Sequence, residues 1–521
     1  MAGKVYLVGA GPGDPGLLTL KGKRRLEEAD VVIYDYLANP RLLDFAPPQA
    51  QRILVGKHGG GKKFEQEVIN RLLVDHALAG ATVVRLKGGD PLVFGRGGEE
   101  MDVLHAAGID YEIIPGVSAA TAVPAYAGIP LTHRELASNV IITTGYEYPA
   151  KDEPAVHWNE LARAGSTLVI MMTSRQLSDN MNKLLDGGIA PSTPAAVIEW
   201  GTRADQRTIV GTVETIGDLA NKASVRPPAI AVVGDVVALR AKLKWFERKA
   251  LFGRRVVLTR PRQQIEDLAR LLEDDGAEVV PFPTIETVPA ASIALVDEAV
   301  RRAAEFDWLI FTSANGVRIF FERLRQIGAD VRVWHRARLA AIGPQTAREL
   351  ERQGLRVDCV PDDYRAEGVI AALARTGVRN QRILLPRAAG ARQLLPQQLA
   401  ELGADVEEIV TYESVHPRES VDEIVALLLA GSIDAITFTS SSTVHNFAAS
   451  VGDRIAELGA RTTIACIGPI TAATAGEYGL RVDVQPEKYT VPAFAEAIAR
   501  HFGGRERRRH DSDESPLSRH S

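Results

Sequence analysis

Cysteine is scarce in this sequence. There are two, Cys359 and Cys466, and neither has a Cys-x-x-Cys neighbour. Two thiols make no disulfide framework. Each sits in an apolar, strand-like run, which suits a buried structural thiol. Aromatic residues make up only 6% and are not interleaved with basic runs, which argues against a platform for stacking nucleic-acid bases. The formal net charge is -5, so nothing points to bulk nucleic-acid binding. No apolar run reaches the ~18 residues of a membrane span. The opening Met1-Ala2-Gly3-Lys4 lacks a signal-type apolar core. The expectation is a cytoplasmic enzyme or binding protein with no nucleic-acid or membrane partner. A clean Gly-x-Gly-x-x-Gly unit is also missing, so no NAD is expected, and no metal site is expected.

What is present is an ordinary globular composition, 45% hydrophobic and 24% charged over 521 residues. That length allows three or four domains of about 150 residues. The first half is organised around Val83-Val84-Arg85-Leu86-Lys87-Gly88-Gly89-Asp90-Pro91. Val83 to Leu86 read as a buried strand that stops in glycines, an acid and a proline. Such an ending bares backbone groups at a sheet's carboxyl edge, where open α/β sheets bind ligands. The same segment also reads as a plain tight turn. Lys4 to Val8, Asp30 to Asp35, Ile53 to Val55 and Ile109 to Ile114 read as further strands, and Leu17 to Ala29 and Gln66 to Ala79 as helices. This alternation predicts a mostly parallel sheet. Gly9-Ala10-Gly11-Pro12-Gly13-Asp14-Pro15-Gly16 resembles a dinucleotide loop, but its prolines remove N–H donors. Asp35 ends a strand beside these loops. It suits acid–base work, but a helix N-cap or a turn residue is the commoner role of such an aspartate. Lys57 reads as a proton carrier, an anion contact or a solvated loop lysine.

The chain turns irregular between Val123 and Arg134. A second α/β segment follows, with strands at Val140 to Gly145, Thr167 to Met172, Ala195 to Gly201 and Ala229 to Gly234. A boundary is expected in the basic and aromatic stretch Trp245 to Leu251. The second half carries an internal repeat. Arg255 to Arg260 matches Arg382 to Arg387, and Ile310-Phe311-Thr312-Ser313 matches Thr437-Phe438-Thr439-Ser440. Ala341-Ile342-Gly343-Pro344 matches Cys466-Ile467-Gly468-Pro469, at spacings of 125 to 127 residues. Two similar α/β lobes follow, suited to clamping one ligand. Paired Ser/Thr loops and helix N-termini suit carboxylates or phosphates. The duplication is also compatible with no shared site. The stretch from Gly503 to Ser521 has almost no apolar residues and should be disordered.

Several motifs together resemble the uroporphyrinogen-III C-methyltransferase family over about residues 3 to 246. They are Val8 to Asp14, Tyr34-Asp35, Gly56-Lys57, Val84 to Pro91, Phe94 to Glu100, Pro115 to Ala120 and Gly128 to Arg134. Residues from about 252 to 502 resemble uroporphyrinogen-III synthase through the repeated Phe-Thr-Ser and Ile-Gly-Pro segments. The resemblance implies α/β folds: a two-lobed methyltransferase at 1–246 (lobes 1–116 and 117–246), a linker at 247–253, and a synthase at 254–502. Synthase lobe one would comprise 254–286 with 416–502, and lobe two 287–415. The lobes would be crossed near Thr284 to Pro289 and near Tyr412 to Pro417. The implied chemistry is cyclisation of hydroxymethylbilane to uroporphyrinogen III, then methylation at C-2 and C-7 to precorrin-2.

The methyltransferase resemblance implies S-adenosylmethionine as methyl donor, touched by Pro12, Gly88, Gly89, Asp90, Val93, Ser118, Ala119, Met172 and Gly201. It assigns Asp35 as base and Lys57 as acid. The substrate carries eight carboxylates, so Arg85, Lys87, Arg96 and Arg134 are candidate contacts, with a surface salt bridge the other reading of each. The synthase resemblance places Tyr412 near the departing hydroxyl, with interdomain packing as its alternative, and makes Thr346, Ser440, Ser441 and Thr471 carboxylate contacts. A homodimer through the methyltransferase half is implied by resemblance alone. Two other functions compete: a tetrapyrrole-binding sensor module in one half, or a related methyltransferase acting on a later corrin intermediate or a non-tetrapyrrole.

Overall fold

The computed structural model describes residues 3–56, 65–146, 156–260, 265–282, 286–290, 293–415 and 421–513. Contacts divide the chain into two units, residues 1–256 with 269–280 and 492–521, and residues 257–268 with 281–491. The division differs from the expected break at 247–253. That connector is bonded onto the end of the helix Glu266–Asp274. Lys249 Nζ donates to the Asp274 carbonyl at 2.6 Å, and Leu251 N–H donates to Asp275 O at 2.9 Å.

The first unit opens with β1 (Lys4–Gly9), β2 (Val31–Tyr34), β3 (Gln51–Leu54), β4 (Thr82–Lys87) and β5 (Asp110–Ile114). They form one sheet in the order β3-β2-β4-β1-β5, with every pair parallel. Parallel strands are covered on both faces and read as continuous apolar runs. β1 shows this: Val5 and Leu7 join one core cluster with Leu73 and Leu104, while Tyr6 and Val8 join another with Leu26 and Leu42.

A second sheet holds β6 (Val140–Thr144), β7 (Thr167–Met171), β8 (Pro194–Glu199), β9 (Arg207–Thr212) and β10 (Ala229–Val233) in the order β6-β7-β10-β8-β9. It is mixed: β10 runs antiparallel to β7 and β8, and β9 antiparallel to β8. Four of these strands match the sequence expectation. β9 does not, because its half-buried residues alternate weakly.

A four-stranded sheet has the order β12-β11-β18-β19, from β11 (Arg255–Leu258), β12 (Glu278–Pro281), β18 (Ala435–Phe438) and β19 (Thr463–Cys466). The last sheet is β13-β17-β16-β14-β15, from β13 (Glu286–Pro289), β14 (Trp308–Phe311), β15 (Arg338–Ala341), β16 (Arg382–Ala388) and β17 (Asp405–Val415). The two expected crossing segments meet here. Glu286 to Pro289 pair antiparallel with Val415 to Tyr412. The final helix, Val491–Asp513, runs past Gly503 into the stretch expected to be disordered. Between Arg505 and Arg509 every residue is an arginine or glutamate, both strong helix formers, and composition alone missed this. Among the described residues no helix is long and apolar enough to cross a membrane.

Candidate active sites

In the first unit the loops after β1, β4 and β5 meet at bare backbone. A Cβ on Gly9 would lie 2.4 Å from Gly116 Cα, and one on Gly116 would lie 2.3 Å from Gly89 O. Only glycine permits three chains this close. Gly11 and Gly89 add a backbone bridge, with N–H···O distances of 3.2 and 2.8 Å. Asp90 fixes the turn: its Oδ1 accepts Leu92 N–H at 2.8 Å and its Oδ2 accepts Gly116 N–H at 3.0 Å. Ser118 caps the helix Ala119–Tyr126 by accepting Ala120 N–H at 3.2 Å.

The proline-containing loop is anchored rather than open. Asp14 N–H donates to Thr202 Oγ1 at 3.1 Å, Tyr126 O–H donates to Asp14 Oδ2 at 2.6 Å, and Asn39 donates to Gly13 O at 2.7 Å. Burial first, and then the hydrogen bond to Asp14, push the Tyr126 phenol far above its ordinary value.

These loops border a cavity of about 640 Å³ in the first unit. All nine expected cofactor residues line it: Pro12, Gly88, Gly89, Asp90, Val93, Ser118, Ala119, Met172 and Gly201. Sequence reasoning missed Tyr36, Trp200 and Arg203, which line it too. The neighbour pattern Glu199-Trp200-Gly201 was the available signal. Phe94, Met172 and Trp200 stand at φ 53, 56 and 49, a left-handed backbone that L-residues rarely adopt and that gathers at functional sites. Gly201 is held against Val123, whose Cγ1 would lie 2.3 Å from an added Cβ.

Asp35 follows β2, one residue before the cavity wall at Tyr36. Its Oδ1 accepts from Arg85 Nη2 at 2.5 Å. Arg85 Nε then reaches Glu100 Oε1 at 3.0 Å, and Lys87 Nζ reaches the same oxygen at 2.9 Å. Glu100 is fully buried, and its Oε2 has no hydrogen-bond partner among the described residues. The four form a charge-balanced quartet, with Arg85, Lys87 and Glu100 buried and Asp35 part-exposed at its outer end. Burial, and then the Arg85 charge, hold the Lys87 ammonium below its ordinary value.

The quartet corrects the reading of Arg85 and Lys87 as exposed contacts for substrate carboxylates. They are 2% and 3% exposed, because β4 is central and covered on both faces. Their charges are turned inward to Asp35 and Glu100. Glu100 itself was not anticipated. Arg96 is half exposed and pairs with Glu99 at 2.6 Å. Arg134 is exposed in the irregular stretch. Lys57 lies outside the described residues.

In the second unit Tyr412 sits on β17, 8% exposed, with its hydroxyl 2.8 Å from Ser313 Oγ. Ser440 is the N-cap of the helix Ser441–Val451 and forms a capping box with Thr443. Ser441 Oγ accepts from Thr474 Oγ1 at 2.8 Å. Thr346 and Thr471 are buried inside the helices Pro344–Arg352 and Pro469–Glu477. They were expected to contact carboxylates through hydroxyls and backbone amides, and with the side chains buried the backbone amides of those turns are the candidate contact. Burial pushes the Cys466 thiol up to about 12.

Comparison with known proteins agrees with this division. Residues 4–217 match the family Tetrapyrrole (Corrin/Porphyrin) Methylases. Residues 266–496 match Uroporphyrinogen-III synthase HemD. The porphyrin biosynthesis protein HemD of Ruminiclostridium josui is 37% identical over 502 residues, 96% of this chain and 99% of that protein. A uroporphyrinogen-III C-methyltransferase of Bacillus subtilis is 43% identical over 370 residues, 71% of this chain and 76% of its own. An S-adenosyl-L-methionine-dependent uroporphyrinogen III methyltransferase of Methanosarcina barkeri is 54% identical over 237 residues, 46% of this chain and 93% of its own. The chain belongs to the porphyrin-biosynthesis family that joins a tetrapyrrole methylase to a uroporphyrinogen-III synthase.

Proposed function

We propose that the protein catalyses two consecutive steps of tetrapyrrole synthesis. The synthase region cyclises hydroxymethylbilane to uroporphyrinogen III with inversion of the last ring. The methylase region then methylates uroporphyrinogen III at C-2 and C-7 to give precorrin-2. The observation that carries the methylase reading is the gathering of nine dispersed residues, from Pro12 to Gly201, around one cavity.

The cavity fits S-adenosylmethionine in kind. Its wall is mainly apolar, with the Gly88-Gly89 turn and the Ser118 cap at a helix start beside it. Apolar walls with a few fixed polar groups are how such ligands are held. The cofactor, once bound, supplies an electrophilic methyl group. The chain's own residues supply placement and proton handling. Methyl transfer to a fully substituted pyrrole carbon leaves the ring cationic, so the macrocycle must then lose a proton from another position, and Asp35 is the acceptor. The Arg85 guanidinium holds one Asp35 oxygen and leaves the other available. Lys57 would return a proton, as the family resemblance implies. Asp90 acts by fixing the Gly88-Gly89 turn, since both its oxygens already accept backbone N–H groups.

In the synthase region proximity does most of the work. Tyr412 gives its proton to the departing hydroxyl, and the Ser440-Ser441 turn receives substrate carboxylates. A homodimer through the first unit is part of this reading and rests on resemblance alone. Calorimetry with S-adenosylmethionine, followed by mass spectrometry of supplied uroporphyrinogen III, tests the methylase step. Binding and a dimethylated product are expected. Binding without methyl transfer would contradict the assigned substrate.

A further inference from the structure

Ser313 stands where β14 ends and the helix Ala314–Gln326 begins. Its Oγ accepts Gly316 N–H at 3.0 Å, capping the helix, and lies 2.8 Å from the Tyr412 hydroxyl. A serine hydroxyl has one proton and two acceptor sites. Gly316 occupies one acceptor site. The proton is then free to point at the Tyr412 oxygen. In that arrangement the phenol accepts from Ser313, and its own proton is not committed to Ser313.

The repeat supplies an internal control. Ser440 holds the matching N-cap in the other copy. It accepts Thr443 N–H at 3.3 Å, and its hydroxyl meets Ser442 at 2.8 Å, not a tyrosine. Helix capping is therefore common to both copies, and the serine–tyrosine contact belongs to one. Capping alone does not require it.

We propose that Ser313 is a positioning residue for Tyr412 in the cyclisation step, an inference that rests on the role given to Tyr412 above. The substrate's hydroxymethyl C–O bond breaks, and its electron pair leaves with the oxygen. The pyrrole nitrogen lone pair fills the carbon, giving a cationic azafulvene. Tyr412 transfers its proton to the leaving oxygen, so water departs and a phenolate remains. The Ser313 O–H donates to that phenolate and steadies its charge. Ring closure with inversion forms a C–C bond to the substituted α-carbon of the last ring, giving a spiro intermediate. It then breaks that carbon's bond to the preceding methylene bridge and joins the bridge to the last ring's free α-carbon. The proton then lost from the cationic intermediate returns to Tyr412, so the step consumes no outside acid.

Four variants of the full-length protein test this: Ser313→Ala, Ser313→Thr, Tyr412→Phe and the double change Ser313→Ala with Tyr412→Phe. Each is assayed for kcat and KM in forming the type III isomer, with thermal unfolding and methylation as fold controls. Ser313→Ala should lower kcat about tenfold with KM within about twofold. Ser313→Thr keeps both the hydroxyl and the helix cap and should restore kcat to within about threefold of the parent, so it is the double variant that separates the hydrogen bond to Tyr412 from the cap. The double variant should be no slower than Tyr412→Phe, because two residues acting as a unit are not additive. Multiplied losses, or a Thr variant that melts normally yet stays slow, would overturn the Ser313 role. Tyr412→Phe at full rate would instead overturn the role of Tyr412, and this inference with it.

Discussion

The two candidate sites solve proton handling differently. In the first unit a carboxylate, Asp35, is held by Arg85, itself tied to the fully buried Glu100 and Lys87. In the second unit a neutral phenol, Tyr412, is held by a neutral hydroxyl, Ser313. A base that must stay ionised beside a cofactor cavity needs a fixed counter-charge. That counter-charge needs its own partner once it is buried. A phenol that yields a proton to a departing hydroxyl needs only orientation. The first solution commits four side chains, three of them buried, and the second commits two at a helix start.

The contrast can be broken or sharpened by substitution, taking the largest effect first. Asp35→Asn should lower methylation by about 10² to 10⁴-fold, the usual worth of a positioned base. Type III formation and S-adenosylmethionine binding should be unchanged. Loss of both activities would mean that the sites are not separate.

Next is Glu100→Ala. It strands Arg85 and Lys87 in the interior, and losing one partner of a buried ion pair costs about 3 to 5 kcal/mol. Denaturant unfolding should show that loss in the first unit. A loss below about 1 kcal/mol, the range of exposed pairs, would show that the quartet is solvated and not buried.

The smallest effect concerns the thiols, which lie only in the second unit. Burial holds the Cys466 thiol at about 12 against an ordinary 9.0. Below 9 the folded and unfolded chains both keep that proton, and nothing changes. From 9 toward 12 the unfolded chain releases it while the folded chain retains it. The second unit should therefore lose stability as pH rises through that interval. Cys466→Ala should flatten that slope, as followed by unfolding at stepped pH. At neutral pH Cys466 should resist alkylation until the unit unfolds.

Much of this was legible in the sequence because the signals are local. β1, β3, β4 and β5 read as apolar runs leading into glycine and β2 as one ending in an acid, and the Phe-Thr-Ser and Ile-Gly-Pro repeats marked the second half. All nine residues expected to touch the cofactor flank strand ends or turns. Glu100 was not legible. It is one of two adjacent glutamates, and only packing decides that Glu100 is buried while Glu99 pairs with Arg96 at the surface. For the same reason Arg85 and Lys87 read as exposed charges. Burial on both faces of β4 is a property of the assembled sheet. The placement of the Thr346 and Thr471 hydroxyls was not legible either, since a threonine in a first helical turn caps, packs or binds with the same local sequence. The contact-based units divide after Val256, because bonds from Lys249 and Leu251 tie the expected connector at 247–253 to residues 274 and 275.

The central claim is that one chain holds two working sites of different character. Its most direct test is incubation of the purified protein with hydroxymethylbilane, with and without S-adenosylmethionine, read by isomer analysis and mass spectrometry. The account predicts type III uroporphyrinogen alone without the cofactor, and its dimethylated product when the cofactor is added. Only the type I isomer, which forms spontaneously, would contradict it by showing that the second unit binds or merely packs without catalysing.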